Sequence, residues 1–132
     1  MAALTQDRNT PEREANFLVL PMAAGATIYA GSLVAVNASG QAVPGSTATG
    51  LTAAGRAEEY KKNGGADGAE TIKVRRGVFK FQNSGTDAVA LPLSTCYIVD
   101  DQTVAATNGT NTRSAAGKAL AIEADGVWVQ IQ

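Results

Sequence analysis

From residue 17 onward, short apolar runs alternate with clusters of Gly, Ser, Thr, Asn and Asp at fairly regular spacing, the pattern of a β-sandwich or barrel built from hairpins. The clearest run is C-terminal. Leu120, Ile122 and Ala124 alternate with Ala121 and Glu123, Asp125-Gly126 follows, and Val127, Val129 and Ile131 alternate with Trp128 and Gln130. Asp-Gly between alternating apolar residues signals a two-residue hairpin loop whose central residues both need φ > 0. It predicts that Ala124 pairs with Val127, Ile122 with Val129 and Leu120 with Ile131. All six then share a core face, and Trp128 lies on the opposite one.

Three further pairs follow the same reasoning. Residues 33–43 form a hairpin turning at Ser39-Gly40, and Pro44 stops its second strand or places it at a sheet edge. Residues 53–60 pair with 71–82 through the polar loop 61–70. Within 71–82, Ile72 and Val74 are even-numbered whereas Phe79 and Phe81 are odd-numbered, so one extra residue is needed. A β-bulge is predicted near Arg76-Gly77, re-aiming one of Arg75 and Arg76, with one of the two pairing with an acidic group. The last pair joins 95–99 to 103–106, turning at Asp100-Asp101-Gln102. Residues 51–62 contain good helix formers, but the β-prone run after their Gly-rich loop favours a strand. The expected fold is all-β, a small sandwich or barrel of hairpins occupying residues 17–132.

Residues 1–16 are different, with several charged and polar side chains, one proline and few large apolar groups. Such a segment cannot offset its own ordering entropy and reads as an extended N-terminal arm. It becomes useful if it adds a strand to a neighbour's sheet edge. Leu4 and Phe17 are then its apolar anchors, and Pro11, which has no N–H, lies at an edge or beyond the paired stretch. No linker divides the 132 residues into two parts that could each hold a core, and much of the 45% apolar content is alanine. A thin core of this kind favours stabilisation by association.

Net charge is −1, with Lys and Arg scattered apart from Lys61-Lys62 and Arg75-Arg76, so the basic face that nucleic acid requires is missing. The N-terminus does not have the pattern of a secretion signal, and the apolar stretch 17–30 is interrupted by Pro21, Gly25 and Thr27, short of the ~20 residues of a membrane span. A soluble product made in the cytoplasm is expected, without nucleic-acid or membrane partners. Histidine is absent, and Cys96 is the single cysteine, expected to be a buried structural thiol. Without His, acid-base chemistry falls to carboxylates. Glu58 and Glu59 on a strand point to opposite faces and read as a solvated edge, while Asp100-Asp101 reads as a turn. The glycines of 63–68 lack the Lys-Ser/Thr ending of a phosphate loop and the spacing of a calcium loop. Neither an enzyme nor a cofactor or metal site is expected.

Along the chain, Ala30-Gly-Ser-Leu-Val-Ala-Val36 with its turn at Ser39-Gly40, Gly50-Leu-Thr-Ala-Ala-Gly-Arg56, Val74-Arg-Arg-Gly-Val-Phe79 and Gly117-Lys-Ala-Leu-Ala-Ile-Glu-Ala-Asp-Gly-Val-Trp-Val129 follow one another. This order resembles the capsid cement, or head-decoration, proteins of tailed bacteriophages over roughly residues 25–131. The resemblance implies a small β-rich protein on the outer surface of the virion head, bound to the major capsid protein, often as a homotrimer where capsomers meet. Trp128, turned away from the core, then lies in a subunit or capsid interface or is shielded by its own domain's loops. The alternative is a ligand-binding β-module, such as a carbohydrate-binding or tail-tip adhesin domain. That reading requires exposed aromatic platforms, and the aromatic residues here are not clustered in sequence.

Overall fold

A computed structural model describes residues 2–12 and 16–132, and among these residues it contains strands and no helix. The first strands are β1 (Phe17–Pro21), β2 (Thr27–Ile28), β3 (Leu33–Val36), β4 (Ala42–Pro44), β5 (Thr52–Ala57), β6 (Lys61–Lys62) and β7 (Thr71–Arg75). They are followed by β8 (Gly77–Asn83), β9 (Thr95–Ile98), β10 (Thr103–Ala105), β11 (Ala115–Glu123) and β12 (Gly126–Ile131). An antiparallel sheet has the order β1-β7-β5-β3-β4, and a closed barrel has the order β10-β8-β12-β11-β9, with β2 and β6 as a separate ribbon. The barrel closes where β9 pairs with β10, and β10 lies parallel to β8.

Apolar patterning explains the layering. β3 is apolar at every position, as expected of a strand covered on both faces. Its Leu33 and Ala35 pack with Phe79, Phe81, Ile98, Val127, Val129 and Ile131 of the barrel. Its Val34 faces the other way, into a second cluster with Met22, Ile28, Ala54, Ile72 and Val74. β5, between β3 and β7, contributes Ala53 to the first cluster and Ala54 and Ala57 to the second. Small side chains let it fit between two layers, and Gly55 (φ 148°) lies so close to β7 that a Cβ there would collide with the Arg75 carbonyl. Residues 51–62 thus hold β5 and β6 around a bend at 58–59, and no helix.

The predicted hairpins form, with two corrections. In the C-terminal one the loop is Ala124-Asp125 rather than Asp125-Gly126, because Glu123 pairs with Gly126, Ile122 with Val127 and Ala119 with Val129. A bulge at Leu120 restores the alternation, so buried Ala119 takes the place predicted for Leu120, Ile122 stays half-buried at the core and Ala124 is exposed. Val127, Val129 and Ile131 are buried as expected. The second correction concerns Arg76-Gly77. Instead of a bulge within one strand, the chain leaves the sheet after Arg75 and enters the barrel at Gly77, whose φ of 153° suits glycine. The turn at Ser39-Gly40 is present and is capped by Asn37, whose Oδ1 accepts from the N–H groups of Ser39 and Gln41 at 3.0 Å. Asp100 caps the 100–102 turn in the same way, accepting from the Gln102 N–H at 2.9 Å. Pro44 is on the sheet's edge strand.

Candidate functional site

The barrel has no free edge, but the sheet does, at β1. The pairing of β1 with β7 is uninterrupted from Phe17↔Arg75 to Pro21↔Thr71. Just outside its ends, the Arg76 N–H donates to the Asn16 carbonyl (2.8 Å) and the Met22 N–H to the Glu70 carbonyl (2.9 Å). Both bonds join directly opposed residues, so the even-numbered residues of β1 exchange hydrogen bonds with β7 and the odd-numbered ones point away. The edge therefore presents the N–H and C=O of Phe17 and Val19 and ends at Pro21, because Met22 bridges Ala42 of β4 in parallel and the Ala23 N–H donates to the Ala42 carbonyl (3.0 Å). The Val19 side chain beside them is 67% exposed.

Charge is organised across the face behind this edge. The Phe17 ring lies 4.4 Å from both Lys73 Nζ and the Arg75 guanidinium. Arg75 Nε donates to Glu58 Oε1 at 2.8 Å, Arg56 reaches the same carboxylate at 3.2 Å, and Arg56 stacks 4.6 Å from the Phe79 ring of the barrel. Aromatic, cation and carboxylate groups thus run from the edge to the barrel. Burial pushes the Glu58 carboxyl up, but its hydrogen bonds and charge pairing with Arg56 and Arg75 outweigh this and hold it below its ordinary value. Glu58 and Glu59 lie in a bend just after β5 rather than on a strand, and neither is merely solvated: they have separate partners, since Glu59 accepts from the Lys73 N–H (3.1 Å) and lies 3.7 Å from Lys61 Nζ.

Phe17 and Arg75 are therefore brought together, and Arg75 has the acidic partner expected of one arginine of the pair. Arg76 is at the sheet-to-barrel crossover and, with Asn16, Gly77 and Gln132, lines a shallow cleft of about 350 Å³. Leu4 is 70% exposed and Pro11 is exposed, both in a segment without strand pairing. Of the predicted arm, residues 1 and 13–15 lie outside the described residues. Trp128 is on the outer face of β12, 36% exposed, its Nε1 donating to Glu123 (2.9 Å) with Lys80 Nζ 5.6 Å from the ring. Its own chain covers part of it. The sequence pattern did not place Tyr29 beside Tyr60: the ribbon that joins them, β2 with β6, has two residues per strand and leaves no readable period. Leu91 and Leu93 are also exposed, and Leu93 is held at φ 66° with its N–H donating to the Ala119 carbonyl. For a leucine that conformation costs roughly 1–2 kcal/mol.

Several other charged side chains and the thiol are engaged in structure. The Thr107 hydroxyl and, to a lesser extent, Arg113 hold Asp87 below the usual carboxylate range. Lys80 ties Asp125 (2.8 Å) and Glu123 (3.4 Å) to β8. Cys96 is fully buried, and burial pushes its thiol up to about 11. Among the described residues no group of three or more His, Cys, Asp or Glu side chains converges, and no helix is long and apolar enough to cross a membrane. Compared with protein-family models, curated proteins and solved structures, the chain matches none.

Proposed function

We propose that this chain is a capsid-decoration protein. In this reading it binds the outer surface of a tailed-phage head as a homotrimer at threefold sites, with the major capsid protein as partner, and reinforces the junctions between capsomers. The order of Gly-punctuated strands supplies the family. The observation that carries the mechanism is the β1 edge at Phe17 and Val19, which follows an arm whose described residues have no strand partner. An arm laid on a neighbour's β1 gains main-chain hydrogen bonds from Phe17 and Val19, and Leu4 finds cover beside Val19. Donor segment and acceptor edge are different surfaces, so the contact is heterologous, and such contacts close into rings when the rotation between copies closes. Three copies closing in this way would occupy a threefold site and leave equivalent surfaces for the shell. Arms not used between copies would reach the capsid protein in the same manner.

The test is co-sedimentation with purified expanded heads. Full-length protein should pellet with the heads, and a variant lacking residues 2–15 should retain its far-ultraviolet circular dichroism and melting temperature while binding at least about tenfold more weakly, a loss near 1.4 kcal/mol. Val19→Pro, which removes an edge donor, should reproduce the loss. Equal retention of all three proteins would refute strand addition, and failure of the full-length protein to bind any expanded head would refute the decoration role. The alternative, a ligand-binding β-module, draws on the exposed Tyr29 and Tyr60 rings; one chain can do both.

A further inference from the structure

We infer that the molecule carries a surface groove for a neutral oligosaccharide, running from Tyr29 and Tyr60 past Gly31 to Trp128. Tyr29 and Tyr60 are 60% and 56% exposed. They are brought together by the ribbon, since the register Thr27↔Lys62, Ile28↔Lys61 continues to Tyr29 opposite Tyr60. Their ring centroids are 5.5 Å apart with planes tilted by 47°, an open aromatic angle held by backbone pairing. Beside Tyr29 is a cleft of about 390 Å³, also lined by Ser32, Asp101 and Gln102. The Asp100 and Glu58 carboxylates elsewhere are committed to turns or ion pairs, but among the described residues the Asp101 carboxylate and the Gln102 amide have no hydrogen-bond partner. Ser32 is only 7% exposed, and its hydroxyl likewise has no partner. A buried hydroxyl left unpaired is costly, and native structures keep few of them.

Gly31 walls this cleft and also a second one, of about 250 Å³, lined by Arg56, Val78, Lys80 and Trp128. The two clefts therefore abut, with tyrosines at one end and a tryptophan at the other. The combination of aromatic and polar groups suits a sugar chain, in which each ring offers an apolar C–H face and a rim of hydroxyls. The electron-rich faces of Tyr and Trp meet the C–H groups. Asp101 accepts hydroxyl protons, while Gln102 both donates and accepts. The charge balance favours a neutral ligand over a phosphate or an acidic sugar. Arg56 is paired with Glu58, and Lys80 with Asp125, so the groove's cations are already neutralised. The β1 edge, which would take up a peptide backbone, lies outside both clefts.

The experiment is a titration of the ¹⁵N-labelled full-length protein with a panel of neutral tetrasaccharides (gluco-, galacto- and N-acetylglucosamine-based, in α and β linkages), with a proline-rich peptide as comparison. At least one saccharide should shift the resonances of Tyr29, Tyr60, Gly31 and the Trp128 indole. Tyr29→Ala and Tyr60→Ala should each weaken binding about tenfold, and Asp101→Asn should weaken it less. Because these side chains are exposed, the variants should keep the wild-type spectrum away from the groove and the wild-type retention on heads. The inference is overturned if no saccharide shifts these residues, if the shifts persist in the Tyr29→Ala, Tyr60→Ala double variant, or if the peptide alone produces them. A saccharide-binding protein that ignores phage heads would leave the groove standing and remove the decoration role.

Discussion

Asn63 anchors the 63–70 loop with one side chain. It is fully buried; its Nδ2 donates to the carbonyls of Met22 (3.0 Å), Ala23 (3.1 Å) and Ala66 (2.9 Å), and its Oδ1 accepts from the Gly65 N–H (3.0 Å). In the sequence it reads only as one more turn residue among glycines, because a long-range cap has no period. Asn63→Ala would remove these side-chain bonds from a buried position, although the three carbonyls keep backbone donors in the N–H groups of Gly68, Ala26 and Ala69; it should cost about 1–3 kcal/mol, at roughly 0.5–1.5 kcal/mol per hydrogen bond, read as a lower denaturation midpoint. Glu58 also escaped the sequence reading, which gave it solvent where it has two guanidinium groups. Its carboxyl is held below its ordinary value, so the stabilisation it provides is fully present above about pH 4.3. That contribution is lost as pH falls through the folded value. Glu58→Gln should therefore lower the melting temperature at neutral pH and leave it nearly unchanged at pH 2, so that the acid limb of melting temperature against pH is shallower. Equal destabilisation at both pH values would show that the ion pairs do not set the dependence.

At the scale of elements, strand identity was legible wherever apolar residues alternate over four or more positions, and register was legible only where the turn chemistry is unambiguous. The C-terminal hairpin shows the limit. Asp125-Gly126 has the composition of a turn requiring φ > 0 at both positions, yet Ala124 and Asp125 form the loop and Gly126 is already paired. The reason lies in the neighbouring strand. A Cβ at Gly126 would lie 2.7 Å from the Phe81 carbonyl and 2.8 Å from Lys80 Cγ, so glycine is there to let β12 approach β8. The two roles are separable by substitution. A left-handed turn position tolerates Asn far better than Ala, whereas a crowded strand position tolerates neither. Gly126→Asn and Gly126→Ala should both destabilise by about 2 kcal/mol or more; a well-tolerated Asn in a chemical denaturation series would restore the turn role. The same kind of ambiguity hid the crossover at Arg76-Gly77, since a bulge and a change of sheet both shift the inward-facing positions by one residue. That one arginine of the 75–76 pair meets an acid was legible, but which one was not, and Phe17, expected as an anchor of the arm on a neighbour, is the first residue of β1 and packs beside Arg75. The meeting of Tyr29 with Tyr60 depends on pairing across 31 positions and was not legible.

For the whole molecule, the sheet and the barrel look like separate units, but β3 is shared between them. Alternate β3 side chains enter opposite clusters, Leu33 and Ala35 with the barrel, and Val34 with Met22, Ile28, Ile72 and Val74. Loss of either cluster removes one side of the support for β3, and with it the β5 and β4 pairings on its two edges. The second cluster has few large side chains and much alanine, so it is a poor candidate for independent stability. Unfolding should then be a single cooperative transition, with the calorimetric and van't Hoff enthalpies equal. Trp128 makes the test specific, because it is on the barrel and contributes to neither cluster. Ile72→Ala, in the cluster on the far side of the sheet, should cost about 2–5 kcal/mol. If the clusters are coupled through β3, that substitution should move the Trp128 fluorescence transition and the far-ultraviolet circular dichroism transition to the same lower midpoint, as Leu33→Ala should from the barrel side. If instead Ile72→Ala splits the two probes, with fluorescence melting at the wild-type midpoint while part of the circular dichroism signal is lost earlier, the barrel folds without the sheet and β3 does not couple them.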